Sequence, residues 1–153
     1  MLIRCANPTD ADAILALVPR LASSFTPPPW REPEAMIATD LDVIAEALRS
    51  ISGDPAIFVA EADGVVAGFV HVRSLEDYYR RRKHGHVADL VVASALEGRG
   101  VATALLARAE EWSRAQGYDW MTIGVFEENA RAEGLYQKLG YRRDIIRLLK
   151  VLT

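Results

Sequence analysis

Two glycines and an arginine interrupt the chain where an apolar run gives way to a helix-forming segment. The four residues "EGRG", 97–100, lie between the strand-like "DLVVASAL" and the helical "VATALLARAEEW". Backbone N–H groups at a helix N-terminus lack intrahelical acceptors and attract anions, and glycine lets a ligand approach the backbone closely. The pattern predicts a site for a phosphate-bearing ligand, formed by Gly98, Arg99, Gly100, Val101, Ala102 and Thr103.

Two well-known phosphate motifs can be compared with this segment. A dinucleotide-binding fingerprint needs a third glycine where Thr103 stands, and a P-loop needs a Gly-Lys-Ser or Gly-Lys-Thr string that the chain lacks. A nucleotide-binding protein of either kind is therefore disfavoured. Two readings of the segment stay open at this point, a phosphate site and a plain sharp turn.

Composition limits the protein to a few classes. The chain has 153 residues, a formal net charge of -3 and one cysteine. This length fits one domain over residues 1–153, and the charge gives no reason to expect nucleic acid or a membrane as partner. A single cysteine excludes an internal disulfide and a cysteine-based zinc site. We expect no metal and a cytoplasmic location.

Periodicity and turn signals set the order of the elements. Thr9 caps the start of a first helix, with Asp10 in its first turn, and Pro19 bends or ends this helix. Thr39 or Asp40 caps part of a second helix. "AIFVAEADGVVAGFVHVR" predicts a hairpin at Asp-Gly, and "HVADLVV" predicts a third strand. A helix from Val101 to Gln116, the strand "WMTIGVF", a short helix and a last strand, "YRRDIIRLLKVL", follow.

The resulting order, β-α-α-β-β-β-α-β-α-β, predicts an α/β fold. Consecutive strands joined by short turns pair antiparallel, whereas a strand, helix and strand unit near the end predicts one parallel pair. The fold class is therefore three layers, a mixed and mostly antiparallel central sheet with helices on both faces.

Residues 86–142 resemble the cofactor-binding core of the GNAT superfamily of N-acetyltransferases. That family carries Arg or Gln, two residues, Gly, one residue, then Gly or Ala; Gly100 and Ala102 match, whereas Glu97 departs from the first position. Because a free carboxylate repels a diphosphate, we expect the Glu97 side chain to point to solvent. A second motif matches at Asn129, Ala130, Leu135, Tyr136, Gly140 and Tyr141.

The resemblance implies a single GNAT-like acyltransferase domain that uses acetyl-CoA as co-substrate. It places the diphosphate on the glycine loop and the pantetheine arm against Leu90, Val91 and Val92, with Asn129 as a further cofactor contact. It also implies that Tyr136 is the general acid that protonates the CoA thiolate. The expected function is N-acetyl transfer to a small-molecule or peptide amine by direct attack.

The general base stays open between two residues of one strand. His86 and Asp89 are three positions apart, so a regular strand points them to opposite faces, and only a bulge brings them together. Glu127 and Glu128 are an alternative pair for binding a cationic acceptor, or a solvated loop. Phe25 and Trp30 either shape the acceptor pocket or only pack on the sheet.

Two further expectations concern activity and assembly. The competing hypothesis is a non-catalytic acyl-CoA-binding sensor or docking module on the same fold. The apolar last strand leaves an edge at which a homodimer can form.

Overall fold

The computed structural model describes residues 1–50 and 53–153, which form five strands and five helices. The strands are β1 (Leu2–Cys5), β2 (Ala56–Ala62), β3 (Val65–Glu76), β4 (Lys83–Val92) and β5 (Met121–Ile123). The helices are α1 (Ala11–Leu17), α2 (Arg20–Ser23), α3 (Pro33–Leu48), α4 (Val101–Ala115) and α5 (Ala130–Lys138). Short 3-10 turns at Pro8–Asp10 and Ser94–Leu96 precede α1 and α4.

The five strands lie in the sheet in the same order as in the sequence. Its strand order is β1-β2-β3-β4-β5. The first four strands pair antiparallel, and β4 pairs with β5 in parallel through the α4 crossover. This confirms the predicted mixed and mostly antiparallel sheet. In the two described stretches, no helix is long and apolar enough to cross a membrane.

Helices cover both faces of the sheet, as predicted. On one face, apolar residues of α1 to α3, among them Ile14 and Ile44, pack against Val59, Phe69 and Val91. The opposite face packs against α4, whose predicted inner residues Val101, Leu105, Ala109 and Trp112 are all buried. Each face of the sheet therefore has its own apolar core, and β3 and β4 contribute to both cores.

Local turn chemistry explains where several elements end. Asp63 and Gly64 join β2 to β3 with φ angles of 51° and 76°, which are the positive values that a two-residue hairpin turn requires. Gly117 has a φ of 82° immediately after the last turn of α4, a conformation that glycine adopts at little cost. The hairpin and both ends of α4 are confirmed.

Two details of the N-terminal helices are more complex than expected. Pro19 separates α1 from α2, so this region has three helices instead of two. The third, α3, begins at Pro33, and Pro33 suits the first turn of a helix because its missing N–H would have no intrahelical acceptor there. Thr39 and Asp40 therefore lie within α3 and do not cap it, so that expectation was wrong.

The predicted last strand does not form. In residues 141–153, all described, no residue belongs to a helix or strand, and the chain's order ends at α5. The prediction was wrong because alternation of apolar residues makes a segment suited to a strand but supplies no neighbouring strand to pair with. β5 is consequently an edge of the sheet.

Candidate active site

The parallel strands β4 and β5 separate partway along their length. They pair only at Gly85–Met121, His86–Thr122 and Val87–Ile123. Beyond Val87, β4 continues to Val92 paired with β3 alone. The backbone edge of residues 88–91 that faces away from β3 is therefore open to a ligand that pairs as a strand does, whereas the Val92 carbonyl is paired with Arg20.

A bulge in β4 lies where the two strands separate. Val72 pairs with Val87, whereas the preceding residue His71 pairs with Asp89, so Ala88 has no partner of its own across the β3–β4 ladder. One extra residue reverses the alternation of side chains beyond it. His86 and Asp89 are consequently on the same face of the sheet, opposite Arg73 and His71 respectively. Because of this bulge, the side chains of His86 and Asp89 can face one site.

His71 holds Asp89 in place. The Nδ1 atom of His71 lies 2.8 Å from Oδ2 of Asp89, and both side chains are largely buried. The Nε2 atom of His71 is buried and has no hydrogen-bond partner among the described residues. This contact orients the Asp89 carboxylate at the bulge. Sequence reasoning missed His71, whose only signal is a histidine within an apolar strand.

Asp40 brings a second carboxyl group towards Asp89. Both residues line the same cavity. Burial and, secondly, the negative charge of Asp89 raise the pKa of Asp40 to about 6. A carboxyl group with a pKa close to neutrality can hold or release a proton under physiological conditions. The sequence analysis proposed Asp40 only as a helix cap, because the sequence alone does not show that Asp40 of α3 lies near β4.

The side chain of His86 contacts the neighbouring strand β5. Its Nδ1 atom lies 2.8 Å from Oγ1 of Thr122 on β5, and the Nε2 atom of His84 lies 3.1 Å from the same oxygen. Burial, followed by the charge of Arg73, lowers the pKa of His86 to about 4. A histidine with so low a pKa is neutral at pH 7 and a weak base. His86 is not among the residues that line the cavity.

The space between β4, β5 and the N-terminal helices is a cavity of about 630 Å³. Tyr136 of α5 projects into it with Asp40 and Asp89. Burial raises the pKa of Tyr136 above its ordinary value of 10.0, so the phenol keeps its proton.

The three residues of β4 that were predicted to contact the pantetheine arm have different surroundings. Leu90 lines the cavity, whereas Val91 is buried in the core. The Val92 carbonyl accepts a hydrogen bond from Arg20 Nε at 2.8 Å.

The proline-rich loop forms one wall of the cavity. Phe25 and Trp30 both line it. The Phe25 ring stacks on Phe126, which follows β5, with 5.1 Å between ring centroids, and the Arg31 guanidinium lies 5.1 Å from the Phe126 ring centre. The loop is thereby tied to the end of β5. Of the two alternatives given for Phe25 and Trp30, the structure agrees with pocket formation.

The glycine loop begins just beyond the end of β4. Gly98 and Gly100 have φ angles of 74° and 79°, and no atom lies within 4 Å of the position a Cβ would occupy at either residue. The first helical hydrogen bond of α4 runs from the Ala104 N–H to the Gly100 carbonyl. The N–H groups of Val101, Ala102 and Thr103 precede that bond and are without intrahelical acceptors.

Glu97 does not point freely to solvent, so that expectation was wrong. One of its oxygens pairs with Arg20 of α2, and the other lies 2.8 Å from Nη1 of Arg131 of α5. The two arginines lower the pKa of Glu97, with the Arg131 hydrogen bond as the larger cause. They also neutralise the carboxylate beside the glycine loop, while Arg99 is exposed and in no ion pair of the described residues. The departure from the family pattern is thus compensated within the chain.

The remaining predicted residues lie at the start of α5 and before it. Asn129 caps α5, since its Oδ1 accepts the Ala132 N–H at 3.3 Å, and it lines the cavity. Glu127 and Glu128 are exposed. Neither lines the main cavity, although Glu128 lines an adjoining one of about 610 Å³. In the part of the chain that the structure describes, no group of three or more His, Cys, Asp or Glu residues is arranged to hold a metal ion.

The raised pKa of Asp40 predicts a pH-dependent cost to stability. This carboxyl titrates near its ordinary pKa of 3.8 in the unfolded chain and at about 6 in the folded protein. Between those values the folded protein holds a proton that the unfolded chain has lost, so the free energy of unfolding falls as pH rises. We expect Asp40→Asn to raise Tm at about pH 8 and to leave it nearly unchanged below about pH 3.8, as thermal unfolding followed by circular dichroism would show.

Asp42→Asn is the matched control, because Asp42 is an exposed residue of the same helix. It makes the same chemical change without removing a partly buried carboxyl group. A gain in Tm that is equal for both variants, or equal at both pH values for Asp40→Asn, would contradict the expected link to burial.

Comparisons with known proteins agree with this geometry. Residues 18–141 match the model of a family described as "Acetyltransferase (GNAT) family". N-acetyltransferase 8B of Homo sapiens is 30% identical over 129 residues, which are 84% of this chain and 56% of that protein. The chain thus spans little more than half the length of this human relative. An acetyltransferase of Yersinia enterocolitica is 35% identical over 126 residues, which are 81% of this chain and 78% of that protein.

A solved structure shows the same fold. An aminoglycoside N-acetyltransferase in complex with CoA superposes with a TM-score of 0.72 and 23% sequence identity. The match covers 99% of this chain and 93% of the other. At this level of identity, the likeness concerns the arrangement of helices and strands.

Proposed function

Because the chain belongs to the GNAT acetyltransferase family, we propose that it transfers an acetyl group from acetyl-CoA to an amine. The observation that carries the proposal is the cavity where β4 and β5 separate. It places the open edge of β4 beside Asp40, Asp89 and Tyr136. One ligand that pairs with β4 and another that carries an amine can meet there.

The residues present fit CoA at two points. Gly98 and Gly100, which have positive φ angles, let a diphosphate approach the free N–H groups at the start of α4. The dipole of this 15-residue helix also favours a negative charge there. The open edge of β4 at Ala88–Leu90 offers amide groups to the peptide-like pantetheine arm. CoA supplies the chemistry of an activated thioester, and the protein supplies its orientation.

Carboxyl groups outnumber cations in the lining of the cavity. Asp40, Asp89 and Glu32 line it with one arginine, Arg31, and with the aromatic rings of Phe25 and Trp30. Carboxylates in a partly buried site favour a cation, and aromatic faces add to that preference. We therefore propose a primary amine that arrives as an ammonium ion, carried on a small molecule or a peptide.

Asp40 is the proposed general base. An alkyl ammonium has a pKa near ~10 and no free lone pair, so it must first release one proton to water before it attacks the thioester. When the neutral nitrogen bonds to the carbonyl carbon it becomes positively charged, and Asp40 accepts the second proton. Asp89, held by His71, lines the same cavity as Asp40. This assignment replaces His86, which is a weaker base and lies outside the cavity lining.

Tyr136 is the proposed general acid. When the carbon–sulfur bond breaks, its electron pair goes to sulfur, and the resulting thiolate takes the phenolic proton. The raised pKa of Tyr136 keeps that proton in place until the thiolate forms. Backbone N–H groups on the open edge of β4 stabilise the oxyanion of the tetrahedral intermediate. The products are the N-acetyl amine and free CoA.

The cofactor site is tested with a charge placed on the glycine loop. We expect Gly100→Asp to weaken acetyl-CoA binding by roughly 10- to 100-fold, because a carboxylate near the diphosphate adds about 1–3 kcal/mol of repulsion at surface dielectric. Isothermal titration calorimetry with acetyl-CoA measures the change. A thiol-release assay with a panel of amines then tests for transfer.

Gly117→Asp is the matched control at the other end of α4. Gly117 has a φ of 82° and the same open surroundings as Gly100, so both variants introduce equal backbone strain and equal charge. Equal loss of binding in both would mean that α4 was destabilised and would contradict the proposed site. Binding of acetyl-CoA with no amine-dependent thiol release would favour a non-catalytic acyl-CoA-binding module.

A further inference from the structure

Arg31 brings a positive charge to a cavity whose other charged residues are acidic. Among the described residues that line the cavity, Asp40, Asp89 and Glu32 carry carboxyl groups and Arg31 carries the cation. Arg31 is exposed, and in the described part of the chain its guanidinium forms no ion pair. The proposed steps of acetyl transfer use the carboxyl groups of the cavity and give this guanidinium no role.

Two contacts hold Arg31 at the wall of the cavity. Its backbone N–H donates to the Pro28 carbonyl at 3.0 Å, which closes a turn of the proline-rich loop. Its guanidinium lies over the ring of Phe126, and that ring stacks on Phe25. A cation–π contact positions a guanidinium without giving its N–H groups an oxygen acceptor. Arg31 is thus held in place with hydrogen-bond donors available to a ligand.

The chemistry of these donors favours a carboxylate as the ligand group. A guanidinium forms two parallel N–H···O bonds with a carboxylate or with a phosphate. The neighbouring charges distinguish the two anions, because Glu32 is next to Arg31 in the chain and the exposed Glu127 and Glu128 follow Phe126. These carboxylates repel a phosphate dianion about twice as strongly as they repel a single negative charge. A carboxylate therefore fits beside Arg31 better than a phosphate does.

The positive and negative groups of the cavity are separated along α3. Arg31 precedes this helix, which begins at Pro33, and Asp40 lies about 10 Å further along the helix axis at the usual rise of ~1.5 Å per residue. Asp89 contributes its charge near Asp40. A molecule that carries both an ammonium group and a carboxylate matches the two ends of this arrangement, whereas a simple alkylamine matches only one.

We infer that the acceptor is an amino carboxylate, either an amino acid or a short peptide, whose amine lies at Asp40 and whose carboxylate pairs with Arg31. This inference rests on the proposed transfer to an amine and narrows the class of amine. Arg31 determines which acceptor is used and takes no part in the bonds that form and break.

Acid and amide forms of one acceptor test the inference. L-phenylalanine and the dipeptide phenylalanylglycine carry the carboxylate at two distances from the amine, and in their C-terminal amides the negative charge is absent. For at least one of these two pairs, we expect Arg31→Gln to lower kcat/KM for the acid about 10-fold or more and to leave kcat/KM for the amide nearly unchanged. The amide group also makes the amine less basic, but comparison of each form between the two proteins cancels that effect.

Three controls accompany this measurement. Arg49→Gln removes an exposed arginine at the end of α3 that does not line the cavity, and it should alter neither value. Arg31→Lys keeps the charge without the paired donors and should cause a smaller loss for the acid than Arg31→Gln does. Calorimetry should show that Arg31→Gln binds acetyl-CoA as the parent protein does. Equal losses for acid and amide in both pairs, or a matching loss of acetyl-CoA affinity, would overturn the inference.

Calorimetric titration with the same acids and amides, in the presence of CoA, separates this inference from the proposed function. If no amine is acetylated but an acid binds the parent protein about 10-fold more tightly than it binds Arg31→Gln, acetyl transfer is wrong and the carboxylate site stands. If amines are acetylated but both proteins bind and use acids and amides alike, transfer stands and the carboxylate site is wrong. Absence of both acetylation and acid binding would contradict both.

Discussion

Replacement of Asp40 by asparagine is expected to lower kcat/KM for the amine by about 10²- to 10⁴-fold, the usual contribution of a positioned base. Asparagine keeps the size and polarity of the side chain and cannot accept the proton. In the parent protein, kcat/KM should rise as pH increases through about 6, where Asp40 loses its proton. Asp40→Asn should remove this rise, which steady-state kinetics across pH would show.

Two further variants identify the base. Asp42→Asn makes the same change on an exposed position of α3 and should leave the pH profile intact. His86→Asn should also keep the rise near pH 6, because the pKa of His86 is about 4. If His86→Asn removes the rise and Asp40→Asn does not, the base is His86 and the assignment to Asp40 is wrong.

Removal of the Tyr136 hydroxyl is expected to reduce kcat by about 10²- to 10⁴-fold with little change in the affinity for acetyl-CoA. Tyr136→Phe keeps the ring, which packs against the core beneath α4, and deletes only the hydroxyl that we propose as the proton donor to the leaving thiolate. Single-turnover kinetics separates this chemical step from product release, and calorimetry reports the affinity.

Tyr141→Phe is the control for the hydroxyl deletion. The rings of Tyr136 and Tyr141 are neighbours, with centroids 6.2 Å apart, but Tyr141 does not line the cavity. Its hydroxyl donates to Glu110, and burial raises its pKa to about 12. We expect Tyr141→Phe to keep nearly full kcat. A similar loss in both variants would indicate that the ring pair positions α5 and that Tyr136 is not the acid.

Both variants concern groups from elements that are distant in sequence. Asp40 comes from α3 and Tyr136 from α5, while the strand between them supplies Asp89 and the open edge. The proposed reaction needs the amine and the thioester to meet between these groups. The separation of β4 from β5 makes that space, and Ala88 at the bulge lines it.

Apart from the division of the N-terminal helices at Pro19, the sequence by itself determined the elements and their order through α5. Signals within a few residues were sufficient, because turn geometry and side-chain periodicity act locally. Asp63 and Gly64 set the hairpin, and Val101, Leu105 and Trp112 set the buried face of α4. The glycine loop could also be located, since a strand, two glycines and a helix start adjoin one another in the chain.

Only the tertiary structure decided how the site is assembled. From the sequence we could infer that a bulge was needed to bring His86 and Asp89 to one face. Whether β4 contains that bulge could not be inferred, because strand register depends on the packing of the whole sheet. The sequence showed neither the His71 contact to Asp89, across 18 positions, nor the Arg20 contact to Glu97, across 77 positions. Asp40 acquires its raised pKa, and residues 141–153 stay outside the sheet, for the same physical reason. Burial, charge proximity and strand pairing are set by residues that become neighbours only after the chain has folded.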